Sequence, residues 1–319
     1  MALFDRSLLI KSLDTFSKTK KGIPNAEVES YLRHYQLHAL AKASDYRIGR
    51  LKLDEILVSV QFFQQQKPFI AKGIVIITHG YMDHVGLYGH LIQVAFECGF
   101  DVVAYDMSGH GLSEGNPLDV DDFEHYALQL DELIKYIRRN EEIDLPIHLI
   151  GQSTGGAVIC AQHLLLDEPQ SLLGGKRILL APLIRPAMWK SIQRRFRWLK
   201  YVISKVPRRY SRSSHDEAFV NFISDNDPLQ HDEIPVGWIG AMLAWGEWVE
   251  HQQPSQEPLY IIQGNADKTV AWEHNMAVFK RIYPKVDISI VPEARHHLVN
   301  ESDEFRTQVF ERIRNIIGN

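Results

Sequence analysis

The feature that most constrains the fold is a regular alternation of short apolar runs with longer helical segments, which begins near residue 50. The stretch "RLKLDEILVSVQFF" alternates apolar and polar residues and predicts one or two strands of a hairpin. Six further apolar runs have the length of buried strands, at residues 74–78, 102–105, 147–150, 178–180, 259–262 and 288–291. Segments of helical period separate most of them. We therefore expect an α/β fold with a mostly parallel central sheet and helices on both faces.

One long interval interrupts this rhythm. Residues 184–250 are helical in pattern and rich in Trp and Arg, and they are far longer than an ordinary helix–strand connection. We interpret them as an inserted helical cap. The predicted organisation is an N-terminal helical extension (1–45), a core formed by 46–183 and 251–319, and the cap (184–250).

Composition limits the classes of function. A chain of 319 residues, 45% hydrophobic and 24% charged, is an ordinary globular protein, and its net charge of -5 gives no reason to expect nucleic acid as a partner. Cys98 and Cys160 stand in apolar helical surroundings, which favours a reducing compartment without disulfides. No Cys/His cluster has zinc spacing, and neither a metal nor a cofactor is expected. The first residues lack a signal-peptide pattern, and no apolar stretch is long enough to span a membrane. We expect a cytoplasmic location, with room for peripheral membrane association.

The pattern Gly-x-Ser-x-Gly occurs twice, as "GLSEG" (111–115) and "GQSTG" (151–155). Ser113 has loop residues on both sides, which is typical of a turn or capping serine. Ser153 follows the apolar run "IHLI" and precedes the helical segment "TGGAVICAQHLLL". A serine on a sharp strand-to-helix turn is exposed at the edge of the sheet, and the flanking Gly151 and Gly155 allow strand and helix to approach each other. We therefore predict that Ser153 is a nucleophile.

A serine nucleophile needs a base, and the base needs a carboxylate that orients it. In this topology the chain order is serine, acid, histidine. Asp267 follows a predicted strand end and is the expected acid. His296 and His297 stand together in the loop after the last strand, and spacing alone does not separate them.

Three other acids downstream of Ser153 are interpreted as solvated or capping residues, because none of them follows a strand at the catalytic edge. They are Asp225 and Asp227 in the insert and Asp287 at the start of a strand.

An oxyanion intermediate needs backbone donors. One is expected to be the amide of Thr154, which follows the nucleophile. The second should come from the loop "HGYMDH" after the first parallel strand, where the amide of Tyr81 is the candidate. His79 and Gly80 are expected to support this loop.

The motifs "HGYMDHVGLY", "DMSGHGLSEG", "GQSTGG", "GNADKTV" and "ARHHLVNE" appear in one order along the chain. This order resembles the lysophospholipase and monoacylglycerol lipase branch of the α/β-hydrolase fold, among the serine aminopeptidase S33-type hydrolases. The resemblance implies a triad of Ser153, Asp267 and His296, and it implies that the Ser113 segment is a structural loop. Gln152 and Asp83 depart from the common pattern. The cap and the extension do not match, so substrate choice does not carry over.

The insert carries a run of basic residues without an acid: Arg185, Lys190, Arg194, Arg195, Arg197, Lys200, Lys205, Arg208, Arg209 and Arg212. Aromatic and aliphatic residues alternate with them. Two interpretations stay open, a solvated helix that covers the core and a segment that meets anionic lipid. The later stretch "VGWIGAMLAWGEWV" fits either an acyl-pocket wall or simple packing of the cap on the core.

These features favour a serine carboxylic-ester hydrolase that acts through an acyl-enzyme on a single-chain lipid, such as a lysophospholipid or a monoacylglycerol. A small-ester or thioester hydrolase, or a peptidase of the iminopeptidase type, would keep the chemistry and change the substrate. A peptidase needs an acidic anchor for the substrate amine, and the basic cap argues against it. An inactive lipid-binding protein would not need a complete triad.

Overall fold

The computed structural model describes residues 4–141, 144–166, 172–208 and 212–318. Residues 1–3 of the predicted extension and Arg209 of the basic run lie outside the described residues. The strands, in chain order, are β1 (Asp45–Leu53), β2 (Ile56–Gln64), β3 (Ile74–Thr78), β4 (Asp101–Tyr105), β5 (Ile147–Gln152), β6 (Arg177–Leu180), β7 (Lys205–Pro207), β8 (Glu233–Pro235), β9 (Leu259–Gly264) and β10 (Val286–Val291).

Eight of these strands form one sheet in the order β1-β2-β4-β3-β5-β6-β9-β10. β1 and β2 form an antiparallel hairpin, β2 runs antiparallel to β4, and every later neighbouring pair is parallel. The predicted parallel strands all appear, and the α/β prediction is confirmed. The hairpin begins at Asp45, earlier than the alternating pattern indicated, because β2 continues to Gln64 and pairs with it.

Helices cover both faces of the sheet. They are α1 (Arg6–Ser12), α2 (Ala26–His34), α3 (His38–Ala43), α4 (Gly89–Glu97), α5 (Phe123–Asn140), α6 (Thr154–Leu166), α7 (Trp189–Leu199), α8 (Glu217–Asp225), α9 (Val236–Val249), α10 (Trp272–Ile282) and α11 (Asp303–Gly318). α5, α6, α9 and α10 pack into one buried apolar cluster. α1, α2, α4 and α11 pack into a second one on the opposite face. The strands between these layers are buried on both sides, which explains their continuous Val and Ile runs.

The N-terminal segment is part of the core. Leu9, Tyr31 and Leu32 are fully buried in the second cluster. The Arg6 side chain donates a hydrogen bond of 2.8 Å to the carbonyl of Gly111, so α1 is attached to the glycine-rich loop after β4. The helical character expected for this segment is observed, while its status as a separate domain stays a prediction.

The segment predicted as a cap contains α7, α8 and α9 together with a small antiparallel ladder of β7 and β8. This ladder was not expected, since each of its strands has only three residues and ends in a proline. Within α9, Trp238 and Trp245 are buried against the first core cluster. The cap boundaries stay a prediction.

No helix in the described part of the chain is long and apolar enough to cross a membrane. The same residues contain no group of three or more His, Cys, Asp or Glu side chains that could hold a metal ion. Both cysteines are free thiols.

Candidate active site

Ser153 lies in the turn between β5 and α6, where its φ of 54° places it in the left-handed region. A residue with a Cβ adopts this conformation at a cost of about 1 kcal/mol or more, so the surrounding packing must impose it. Gly155 accounts for part of that packing, because a Cβ there would lie 2.1 Å from the carbonyl oxygen of Thr78. A Cβ at Gly151 would lie 2.4 Å from the carbonyl oxygen of Gly155. The strand-to-helix turn predicted at Ser153 is therefore present and tightly packed.

Three side chains form a continuous hydrogen-bonded chain at the carboxyl edge of the sheet. The hydroxyl of Ser153 lies 2.9 Å from Nε2 of His296. Nδ1 of the same ring lies 2.7 Å from Oδ2 of Asp267. The three residues follow β5, β10 and β9, whose carboxyl ends point the same way because the strands are parallel.

Asp267 is held from several sides. Its Oδ1 accepts hydrogen bonds from the amides of Thr269 and Val270, at 2.7 and 3.2 Å. Its Oδ2, besides contacting His296, accepts one from the side-chain amide of Gln263 at 3.1 Å. Burial alone would raise the pKa of Asp267, but His296 and the hydrogen bonds from the amides of Thr269 and Val270 outweigh it and hold the pKa below its ordinary value. The carboxylate is therefore ionised and fixed in orientation.

The environment of His296 favours a ring that accepts a proton. Burial disfavours the imidazolium, but the carboxylate of Asp267 outweighs it and raises the pKa of His296 above its ordinary value. The side-chain amide of Gln152 also donates to the His296 carbonyl, at 2.9 Å. Gln152 therefore connects the histidine loop, which follows β10 and carries His296 and His297, to the turn that carries Ser153. In the sequence Gln152 is only a departure from a common pattern, and its contact with His296, 144 positions away, has no local signal.

His297 occupies a different environment. Its Nε2 lies 3.2 Å from Oδ2 of Asp83, and its ring meets the edge of Phe219 with centroids 4.7 Å apart. Of the two adjacent histidines, His296 is the one that contacts Ser153. The carboxylate of Asp83 also accepts a hydrogen bond from the Tyr88 hydroxyl at 2.8 Å. Asp83 thus joins the histidine loop to the loop after β3.

The loop after β3 is fixed by two side chains. The amide of Gly80 donates to the Tyr88 hydroxyl at 2.8 Å. Nε2 of His79 accepts from the amide of Met107 at 3.0 Å, so the ring proton resides on Nδ1 and is donated to the carbonyl of Gly80 at 2.7 Å. Burial lowers the pKa of His79, which keeps the ring neutral in this role. His79 and Gly80 therefore support the loop in this structure.

The two amides expected to stabilise an oxyanion, those of Tyr81 and Thr154, stay a prediction, and the structure shows the surroundings of each. A Cβ on Gly80 would lie 3.5 Å from the Cβ of Ser153, so the loop that carries Tyr81 runs beside the serine. Because the Gly80 amide already has an acceptor, the amide of Tyr81 is the next donor along this loop. The amide of Thr154 opens α6, where first-turn N–H groups have no partner within the helix. The Tyr81 ring is stacked on Trp238 at 3.5 Å, which places α9 against this loop.

The hydroxyl of Ser113 is engaged in hydrogen bonds that hold two parts of the core together. Its hydroxyl donates to the carbonyl of Asp106 at 2.5 Å and accepts from the amide of Ser59 at 2.8 Å. The side chain is buried, and no helix follows it directly. Ser113 therefore joins the loop after β4 to β2.

The expectation that Asp227 is solvated is wrong, whereas a local capping contact is present, since its Oδ1 accepts a hydrogen bond of 3.0 Å from the amide of Leu229. Asp227 is buried, and its two oxygens lie 2.6 Å from the Tyr35 hydroxyl and 2.9 Å from Nε2 of His84. The sequence offered no periodic signal for this contact, because its partners lie directly after α2 and in the loop after β3. Asp225, by contrast, is exposed, and Asp287 lies in β10 and pairs with Arg312.

A cavity of about 690 Å³ lies between α2, α3, α4 and α8, and none of Ser153, His296 and Asp267 lines it. The candidate active site is therefore identified by its hydrogen-bonded chain and not by a large cavity. That chain contains a hydroxyl, a base within hydrogen-bonding distance and a carboxylate that orients the base, which is the arrangement used for acyl transfer.

The chain matches the family described as "Serine aminopeptidase, S33" over residues 70–303. It is 23% identical over 237 residues to a monoacylglycerol lipase of Mycolicibacterium smegmatis, covering 73% of this chain and 84% of that protein. A monoglyceride lipase of Rattus norvegicus is 26% identical over 204 residues, covering 62% of this chain and 66% of that one. The crystal structure of a soluble variant of monoglyceride lipase from Saccharomyces cerevisiae superposes with a TM-score of 0.73 at 16% identity, covering 85% and 94% of the two chains.

Proposed function

Because the chain belongs to the serine aminopeptidase S33 family of α/β-hydrolases, in its monoacylglycerol lipase-like branch, we propose that it is a serine carboxylic-ester hydrolase with a Ser153–His296–Asp267 triad. The observation that carries the proposal is the unbroken hydrogen-bonded chain from the Ser153 hydroxyl through His296 to Asp267, at 2.9 and 2.7 Å. The Ser153–His296 contact is within the distance that proton transfer requires, and the His296–Asp267 contact fixes the ring and stabilises its charged form.

In the first half-reaction, Oγ of Ser153 attacks the ester carbonyl carbon while Nε2 of His296 takes the hydroxyl proton. The tetrahedral intermediate collapses as the bond to the alkoxy oxygen breaks, and the imidazolium gives its proton to the leaving alcohol. In the second half-reaction, His296 takes a proton from water while the water oxygen attacks the carbonyl carbon of the acyl-enzyme. The bond to Oγ of Ser153 then breaks, and His296 returns the proton to Oγ. Asp267 stabilises the imidazolium in both halves and stays ionised.

We assign the stabilisation of the negatively charged oxygen in each tetrahedral intermediate to the amides of Tyr81 and Thr154. Preorganised backbone donors of this kind typically contribute about 3 kcal/mol each to the barrier. The hydrogen bonds of Gly80 and His79 supply the preorganisation, because they hold the loop that carries Tyr81 before substrate arrives.

Single-chain lipids are the proposed substrates, as either lysophospholipids or monoacylglycerols. Two observations support this class: the related proteins named as monoacylglycerol and monoglyceride lipases, and the apolar helix α9 against the Tyr81 loop. A small-ester or thioester hydrolase would use the same triad without needing that apolar wall. A peptidase of the iminopeptidase type would need an acidic anchor for an amine, which the basic segment around α7 disfavours.

The basic insert is proposed to contact an anionic membrane surface. The inner side of α7 packs on the core through Ile192 and Phe196, while Arg194 and Arg197 are exposed. Directly after this helix, Tyr201 and Val202 are each 79% exposed. Exposed cations beside exposed apolar side chains are the composition of an interfacial segment.

The hydrolase proposal is tested with a fluorophosphonate probe and a series of p-nitrophenyl esters of increasing chain length. We expect the probe to label the wild type and to miss Ser153→Ala, whose turnover should fall by on the order of a million-fold. Ser113→Ala is the matched control and should retain labelling. Labelling that survives Ser153→Ala would overturn the assignment, and a preference for the shortest esters would favour the small-ester alternative.

A further inference from the structure

A second cavity, of about 360 Å³, lies directly beside His296. Its walls come from three loops, which follow β9, follow β10 and precede α8. The volume is at the lower end of the range for small-molecule sites, so it suits a compact polar group better than a long acyl chain. The proposed triad assigns it no role.

The charge of this cavity is strongly positive. Arg212, Lys268 and Arg295 line it, against the single carboxylate of Glu293. The guanidinium of Arg295 is oriented by a hydrogen bond of 2.7 Å to the carbonyl of Ser214. Among the residues that the structure describes, Arg212 and Lys268 form no ion pair, so their charges are free to meet a ligand.

Two carboxylates that contact residues of the cavity wall, those of Asp267 and Glu301, are already engaged by other groups. The oxygens of Asp267 are engaged by His296, Gln263 and two backbone amides. Glu301 is fully buried, and it accepts hydrogen bonds from the backbone amides of His215 and Arg295. Both carboxylates are therefore occupied by hydrogen bonds within the protein. An anion is therefore the ligand for which this cavity is suited.

The position beside His296 indicates which part of a substrate would enter. In acyl transfer the base that took the serine proton must give it to the leaving oxygen, so the leaving group must lie against that base. The cavity shares His296 with the triad and would hold the alcohol portion of the ester rather than the acyl chain.

Resting on the proposed hydrolase function, we propose that the Arg212–Lys268–Arg295 cavity binds the phosphate of a lysophospholipid headgroup. Guanidinium groups bind phosphate oxygens in a bidentate manner, and Lys adds a point charge. The glycerol of a neutral monoacylglycerol would use none of these charges. The cavity thus selects phosphate-bearing single-chain lipids from the two substrate classes that the triad alone would accept.

The test compares two substrates that differ only in the phosphate, monodecanoylglycerol and monodecanoylglycerol phosphate. Both are used as monomers below their aggregation concentrations, so that attraction of the basic insert to a charged surface makes no contribution. We expect the wild type to favour the phosphate in kcat/KM by about ten-fold or more, as one charge-assisted contact provides. In Arg212→Gln/Lys268→Gln this ratio should fall close to one.

A matched control removes the same charge elsewhere. Lys280 and Lys285 are exposed near the amino-terminal end of β10, at the edge of the sheet opposite to His296. Lys280→Gln/Lys285→Gln should keep the wild-type ratio. A wild-type ratio of one or less would overturn the proposal, as would a ratio unchanged in Arg212→Gln/Lys268→Gln.

Competition separates a headgroup site from a site for free phosphate. We expect glycerol phosphate to inhibit hydrolysis of the phosphate substrate competitively, and inorganic phosphate to do so more weakly. Inhibition by inorganic phosphate alone would overturn the headgroup assignment.

Failure of the hydrolase function itself would appear as absent probe labelling and no turnover of any ester. In that case calorimetry with glycerol phosphate still decides the cavity: binding by the wild type that Arg212→Gln/Lys268→Gln abolishes supports it, and absence of binding overturns it.

Discussion

The hydroxyl of Tyr35 donates a hydrogen bond of 2.6 Å to Oδ1 of Asp227, 192 positions further along the chain. The other oxygen of Asp227 lies 2.9 Å from Nε2 of His84, which is in the loop that carries Tyr81. One buried carboxylate therefore connects α2, the segment after α8 and the loop beside the nucleophile. The N-terminal segment, which lies outside the matched family region, thereby contributes to the position of the site.

This contact predicts a large stability difference between two nearby acids. Asp227→Asn should lower the free energy of unfolding by about 3 kcal/mol, because it leaves a buried histidine without its carboxylate. Asp225→Asn is the matched control, and as an exposed position it should change stability by about 0.5 kcal/mol or less. Urea unfolding measures both. Equal effects would mean that the Asp227 contact contributes little.

The same pair predicts how stability changes with pH. Burial would raise the pKa of Asp227, but His84 and the hydrogen bonds outweigh it and lower the pKa. Burial would lower the pKa of His84, but Asp227 raises it. Because the pKa of Asp227 is lowered by folding, its contribution to stability is present above the pKa of an unfolded Asp and is lost on acidification. Because the pKa of His84 is raised by folding, its contribution is present below the pKa of an unfolded His and is lost as the pH rises. The pair should contribute most between about pH 4 and pH 6.5, which the Tm of the wild type minus that of Asp227→Asn measures. A difference independent of pH would contradict an ionised pair.

The adjacent histidines should differ in catalysis. His296→Ala removes the ring within 2.9 Å of the Ser153 hydroxyl and should reduce turnover by on the order of a million-fold. His297→Ala removes a ring that contacts Asp83 and should cost far less. Steady-state hydrolysis of a p-nitrophenyl ester, with circular dichroism as a folding control, distinguishes them. Full loss in His297→Ala alone would overturn the assignment of the base.

The pH dependence of the reaction follows from the raised pKa of His296. His296 must be unprotonated to accept the serine proton, so kcat/KM should fall as the pH drops through that pKa. The acidic limb should lie above about 6.5, the ordinary value for imidazole. In Asp267→Asn the limb should move to lower pH, because the carboxylate that raises the pKa is gone. The rate of fluorophosphonate labelling, measured against pH in the wild type and in Asp267→Asn, gives both acidic limbs. A wild-type limb well below the ordinary imidazole pKa would argue against a stabilised imidazolium.

Membrane contact predicts a charge effect at α7. Each cation near an anionic surface contributes roughly 1 kcal/mol, and salt screens the effect. Arg194→Gln/Arg197→Gln should therefore weaken flotation with anionic vesicles at low salt, whereas Lys280→Gln/Lys285→Gln should not. If the wild type does not float at low salt, the insert is a solvated cover.

Local sequence determined the eight strands of the central sheet, most of the helices and the turn at Ser153. Their signals are periodicity and glycine placement over a few residues, and parallel strands necessarily bring Asp267 and the histidine loop to the edge that carries Ser153. From the residues themselves, however, His296 and His297 were equivalent, and only the resemblance to a family separated them. Neighbours in a loop share every local property, and their difference arises when one ring meets Ser153 and the other meets Asp83.

Tertiary structure alone decided the burial of Asp227, the Gln152 contact with the histidine loop and the packing of the N-terminal helices into the core. These depend on partners such as Tyr35 and His296 that are more than a hundred positions away. A carboxylate in an aperiodic loop has the same sequence signature whether water or a buried tyrosine and histidine surround it. Whether such a carboxylate is solvated or buried is decided by the residues that the fold packs around it. A buried carboxylate is stable only when each of its oxygens accepts a hydrogen bond.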